Sequence, residues 1–135
     1  MEPSVRNLWN KSLENLEVCR LARGEGHFNA AASRYYYAMR MAVHALFKKK
    51  GIEGEWKTAS GGYRVEEWKH RRMIDVAGER FSQVLPGIAR FLGTTRELRE
   101  RADYEPLPIG EHQLQPFIRM SKRIFRGIFD EIRRS

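Results

Sequence analysis

The run Ala30–Phe47, Ala-Ala-Ala-Ser-Arg-Tyr-Tyr-Tyr-Ala-Met-Arg-Met-Ala-Val-His-Ala-Leu-Phe, constrains the fold more than any other stretch of the chain. It reads as one long helix from about Phe28 to Lys50, with Phe28, Ala31, Tyr35, Ala38, Met39, Ala42 and Leu46 along one face. Alanines at 30–32, 38, 42 and 45 let neighbouring backbones approach closely. Lys48-Lys49-Lys50 sits where cations favour the helix dipole, and Gly51 is a natural terminator. A helix of this kind is set up for close helix–helix packing.

The flanking segments supply the other helices. Pro3 to Arg23 carries Val5, Leu8, Trp9, Leu13, Leu16 and Cys19 at three-to-four spacing, and Gly24 and Gly26 end it. Residues 51–63 hold four glycines and read as a mobile loop. A third helix is expected from Val65 to Val84, with Trp68, Met73, Ile74, Ala77, Phe81 and Val84 as its stripe. A short helical piece should run from Pro86-Gly87 to Leu92, ended by Gly93. Thr94-Thr-Arg-Glu97 resembles a capping box for a fourth helix ending near Tyr104. The last helix, Gly110 to Arg134, carries Leu114, Phe117, Ile118, Ser121, Ile124, Phe125, Ile128 and Ile132, with Pro116 early in it. No alternating strand pattern competes. The expected fold is all-α: an antiparallel up-and-down helical bundle of four long helices plus one or two short ones, as a single domain over residues 1–135.

Several function classes fall away on composition. No apolar run reaches the roughly 18 residues of a membrane span, and the N-terminus lacks the apolar core of a signal peptide. The single cysteine, Cys19, allows no internal disulfide and no cysteine-based zinc site, and a cytoplasmic setting is expected. His27, His44, His70 and His112 show no metal-ligand spacing, and no phosphate-cradling glycine loop occurs, so neither a metal nor a cofactor is expected. The net charge is +8, and 18 of the 25 basic residues are arginine. Arginine grips phosphates and carboxylates with a planar fork, so the surface suits nucleic acid or an acidic partner. An arginine-rich composition serving solubility alone would look the same.

Three polar clusters are candidates for chemistry. Arg34 precedes three tyrosines, which point around most of a helix and so cannot all be core. His70-Arg71-Arg72 with Arg80 is either a solvated basic face or, if His70 lies beside the fourth helix, a proton donor or phosphate contact. Arg64, six residues before His70, belongs to the glycine-rich loop and is set aside. Arg96 and Arg99 share a helical face with Asp103, close to Arg101 and Tyr104. Asp103 can orient an arginine that then meets a phosphate. The alternative is an ion pair locking the fourth helix to the second, through Arg34.

Together these pieces resemble a family. Leu8-Trp9…Glu14-Asn-Leu16, Ala31-Ala-Ser-Arg34…Tyr36-Tyr-Ala-Met39…Ala42…Ala45-Leu46, His70 with Phe81 eleven residues later, and Arg99-Glu-Arg-Ala-Asp-Tyr104 are similar to the HEPN-domain proteins, closest to their small stand-alone prokaryotic branch. The resemblance implies a helical bundle that commonly forms homodimers. It also implies a frequent genetic partner, a minimal nucleotidyltransferase, in toxin–antitoxin or defence pairs. Active members are metal-independent ribonucleases using an arginine, four to six residues, then a histidine, often with a tyrosine two residues later. That pattern maps onto Arg96, Ala102 and Tyr104. Alanine moves no proton, so the acid–base agent is missing from its usual place. His70 could substitute from another helix. In some pairs the transferase modifies the motif tyrosine with AMP, which here would be Tyr104.

The expected function is an RNA- or nucleotide-binding module, the partner of a nucleotidyltransferase, with catalysis lost at Ala102. Arg34, Arg96, Arg99 and Asp103 are expected to line its groove, with His70 and Tyr104 near the rim. Two alternatives stand beside it: a divergent metal-independent ribonuclease toxin, with His70 and Arg96 as candidate catalytic residues, and a non-catalytic interaction subunit.

Overall fold

The computed structural model describes residues 1–104, 106 and 108–134. Among these residues are five helices and one small hairpin: α1 (Pro3–Gly24), α2 (Phe28–Lys49), β1 (Glu55–Thr58), β2 (Arg64–Glu67), α3 (His70–Phe81), α4 (Ile88–Tyr104) and α5 (Glu111–Arg133). The fold is an all-α bundle in its essentials.

α2 is the central element and packs against α1, α4 and α5. Its alanines explain this position. Ala31, Ala32, Ala38, Ala42 and Ala45 are fully buried and present no bulk beyond Cβ. The Ser12 hydroxyl on α1 donates to the Ala38 carbonyl at 2.7 Å, a contact that a side chain this short can make only if the two helices nearly touch. Ser12 therefore faces the core, and Leu13, expected there, is exposed. Two hydrophobic clusters result. The larger, around Met39, Leu46 and Phe47, takes in Trp9, Trp68, Phe81, Leu92 and Ile128. The smaller, around Ala31 and Tyr35, takes in Cys19, Leu98, Ala102 and Leu114.

The glycine-rich segment is an ordered antiparallel hairpin, with Glu55 opposite Glu67 and Thr58 opposite Arg64. Gly61 and Gly62 turn it at φ +91° and +84°, a region open to glycine without a Cβ clash. Only Glu66 in its strands is part-buried and every other strand residue is exposed, so no apolar alternation marks them. What holds the hairpin is Glu66. Its carboxylate accepts from His44 Nε2 at 2.8 Å, Lys48 Nζ at 3.0 Å and the Gly54 N–H at 2.8 Å. Burial works to raise the Glu66 carboxyl, but those three donors outweigh it and hold it below the ordinary carboxylate value. Burial likewise pushes the His44 imidazole down, against the pull of Glu66.

This hairpin changes the expected course of the chain. β2 and residues 68–70 run back along α2, passing Lys48 and His44, then Arg40, then Tyr36. α3 then sets out in the same direction as α2, with His70 beside Tyr36 and Phe81 stacked on Phe47. The extended segment replaces the first turns of the helix expected from Val65. Trp68 is buried as expected but lies before α3, and Val84 is exposed beyond its end.

α4 also differs from the sequence expectation. It runs unbroken through Gly93, and Thr94 is no cap: its hydroxyl donates back to the Arg90 and Phe91 carbonyls. A mid-helix glycine costs about 1 kcal/mol, which the buried side chains of Ile88, Phe91, Leu92, Thr95 and Leu98 offset on either side of it. α5 begins after Gly110, whose N–H is taken by the Gln113 side chain at 2.8 Å. Pro116 lies inside the helix.

Candidate functional site

Two faces of α4 divide its side chains. At about 100° per residue, Arg96, Arg99, Glu100 and Asp103 share one side, and Leu98 and Ala102 turn to the core. Each arginine meets a carboxylate four residues on: Arg96 Nε lies 3.0 Å from Glu100 and Arg99 Nε 3.4 Å from Asp103. Asp103 thus orients Arg99 rather than Arg96.

The wall opposite α4 comes from α2. Tyr36 and Tyr37 meet edge to face at 5.2 Å, and the Arg99 guanidinium sits over both rings, at 5.3 and 5.4 Å. Two such contacts at once fix the position of the guanidinium. Arg99 Nε is buried and, although near Asp103, is not aligned to donate to any acceptor.

Tyr36 leads on to His70. The Tyr36 oxygen accepts from Arg40 Nη1 at 3.1 Å and lies 3.2 Å from His70 Nδ1. Arg40 also donates to the Trp68 carbonyl, which fixes the segment leading into α3. An arginine can only donate, so the Tyr36 proton is free to go to Nδ1. That arrangement puts the imidazole proton on Nε2, a buried atom with no hydrogen-bond partner among the described residues. His70 is itself only 9% exposed. Burial, then the charges of Arg96 and Arg40, push its pKa down to about 4 against a partial counterpull from Glu100. His70 is therefore neutral at pH 7, able to exchange a proton without carrying charge at rest.

The structure brings together Arg96, Arg99, Asp103 and His70. It does not bring Arg34 to them. Arg34 is exposed and points to α1, where Nη1 lies 3.4 Å from Asn15 Oδ1. The α2 contribution to the cluster is Tyr36, Tyr37 and Arg40, and a contact between α2 and α4 is the cation–π packing of Arg99 on both tyrosines. Tyr104 stands at the end of α4, 78% exposed, beside a shallow depression shared with Glu97 and Glu100. Ala102, at 8% exposure, is packed among Cys19, Ala31, Leu98 and Leu114. Sequence reading missed Arg40 and the Tyr36 hydroxyl. Their four-residue spacing was the available signal. No group of side chains suited to a metal ion occurs among the described residues.

A helical bundle with an arginine cluster between its second and fourth helices describes the class. The HEPN domain model matches residues 5–128, and the chain belongs to the HEPN-domain family. HEPN domains commonly dimerise, and membership is consistent with an RNA-binding or nuclease-like module. No curated protein and no solved structure matches the chain. No helix among the described residues is long and apolar enough to cross a membrane.

Proposed function

We propose that this HEPN chain is an RNA- or nucleotide-binding module that works as a homodimer with a nucleotidyltransferase in a toxin–antitoxin or defence pair, its own catalysis lost at Ala102. The observation that carries the reading is the convergence of Arg96 and Arg99, each set by a carboxylate, on the recess beside His70. Two oriented guanidiniums and a neutral imidazole suit a phosphodiester, whose two non-bridging oxygens match the bidentate fork of arginine. Arg34 lies outside this recess and would meet only a ligand long enough to cross α2. Binding of RNA and of ATP by wild type and Arg96→Ala/Arg99→Ala tests the reading. Affinity should fall at least about tenfold, with a shallower salt dependence. Equal affinity in both proteins would remove the recess from the function.

Exposure of Tyr104 supports its role as the acceptor of AMP. Intact-mass measurement after incubation with the neighbouring transferase and ATP should show one adduct, absent in Tyr104→Phe.

A ribonuclease reading is favoured by one observation, the Tyr36–His70 contact that leaves Nε2 facing away from its hydrogen-bonded partner. In that reading Nε2 moves the proton and Arg96 steadies the phosphate. Equal RNA cleavage by wild type and His70→Ala would end it.

A further inference from the structure

α5 carries a second basic surface on its outer side, built differently from the recess. Residues 112–129 contain no aspartate or glutamate. Arg119, Lys122, Arg123 and Arg126 are all exposed, at spacings of three and four that place them on one ridge. At 1.5 Å per residue the ridge is about 10 Å long. None of the four pairs with a carboxylate among the described residues. Each is therefore a full, solvated charge.

The ridge separates two recesses with apolar floors. On the α1 side, a cavity of about 520 Å³ has Leu16, Tyr35, Ile118 and Phe125 in its floor, with Lys122 and Arg126 at its edge. On the α4 side, a cavity of about 430 Å³ lies over Pro86, Phe91 and Ile124, with Arg90, Arg119 and Arg123 around it. Met120, 60% exposed, stands at the second one. Both volumes fall in the range of small-ligand sites, roughly 300–1,000 Å³.

From this we infer that single-stranded RNA crosses α5, with phosphates on the Arg119–Arg126 ridge and bases turned into the apolar recesses on either side. Cations alone would suit any polyanion. Cations flanked by apolar floors require a chain whose charges lie on its backbone and whose flat apolar groups are free to splay. Single-stranded nucleic acid has that form, whereas a duplex keeps its bases stacked inside. A second copy of this chain would bring the same unpaired cations against themselves, so charge argues against self-association here. The inference rests on the proposed RNA-binding function and adds a second contact surface, away from His70.

The test is fluorescence anisotropy of the full chain with a labelled oligouridylate over a series of salt concentrations. Arg119→Ala/Arg123→Ala should weaken binding about tenfold and reduce the slope of log K against log salt by about 1.4, two single-strand phosphate contacts. Met120→Asp should also weaken it, and Arg119→Lys/Arg123→Lys should largely restore it. Circular dichroism of each variant confirms the fold. If the α5 variants bind as wild type while Arg96→Ala/Arg99→Ala does not, the ridge is overturned and the recess stands. If wild type binds no RNA, both fall. Equal competition by duplex RNA or by polyglutamate of matched charge would overturn the single-strand assignment.

Discussion

On α4, Arg96 and Arg99 each lie against a carboxylate four residues on, and Arg99 is further clamped over two tyrosine rings. On α5, Arg119, Arg123 and Arg126 are exposed and pair with no carboxylate among the described residues. The same side chain is preset in one place and loose in the other. A preset guanidinium loses little entropy on meeting a ligand, so it selects geometry. A loose one contributes mainly a long-range field, which salt screens beyond about 8 Å at physiological strength. The recess is thereby suited to recognition and the ridge to capture.

The sharpest way to break this contrast is at Ala102. Its side chain points into the small core, away from Arg96, so Ala102→His should not rebuild an active centre. The imidazole should instead overpack the cluster of Cys19, Ala31 and Leu98. A loss of about 3 kcal/mol is expected in urea unfolding, from added volume and an unpaired buried nitrogen. A stable variant that cleaves RNA would show that α4 can present position 102 to the recess.

Next in size is the pH response of His70. Its folded pKa of about 4 lies below its ordinary 6.5, so the unfolded chain binds more protons in between. Stability should therefore be retained above pH 6.5 and fall as pH drops toward 4, by about 3 kcal/mol from this group. His70→Gln should flatten the difference between melting curves at the two ends of that window. His44, shifted the same way, is present in both proteins and cancels. An unchanged pH profile in His70→Gln would mean that His70 is solvated.

Tyr36→Phe sharpens the comparison by removing only the oxygen between Arg40 and His70. About 1–2 kcal/mol should be lost, readable as a shift in denaturation midpoint. Smallest of all, Arg119→Ala/Arg123→Ala should change stability by less than about 0.5 kcal/mol. A larger loss would mean that the ridge has structural partners after all.

Periodicity revealed α1, α2 and α5, because each carries apolar residues at three-to-four spacing. It did not locate the small core on α4, where Leu98 and Ala102 are buried against Ala31 and Ala32. It did not reveal the hairpin. The strands bury no apolar face, and Glu66 holds them through partners 12 to 22 residues away. Nor did it reveal that α4 passes through Gly93, a decision made by buried residues on both flanks. The Arg99–Asp103 pairing was legible as a four-residue step. The Tyr36–His70 contact spans 34 residues and was not.

Residue order alone settled that this chain would bury amphipathic helices around an alanine-lined centre, since side-chain size and spacing act within a single helix. Only the tertiary structure decided which arginine meets a partner on another helix. Arg34 and Arg99 are the same residue, but one faces α1 and the other two tyrosine rings. That distinction arises from how the helices are rotated against one another, and helix rotation is set by the whole packed core at once.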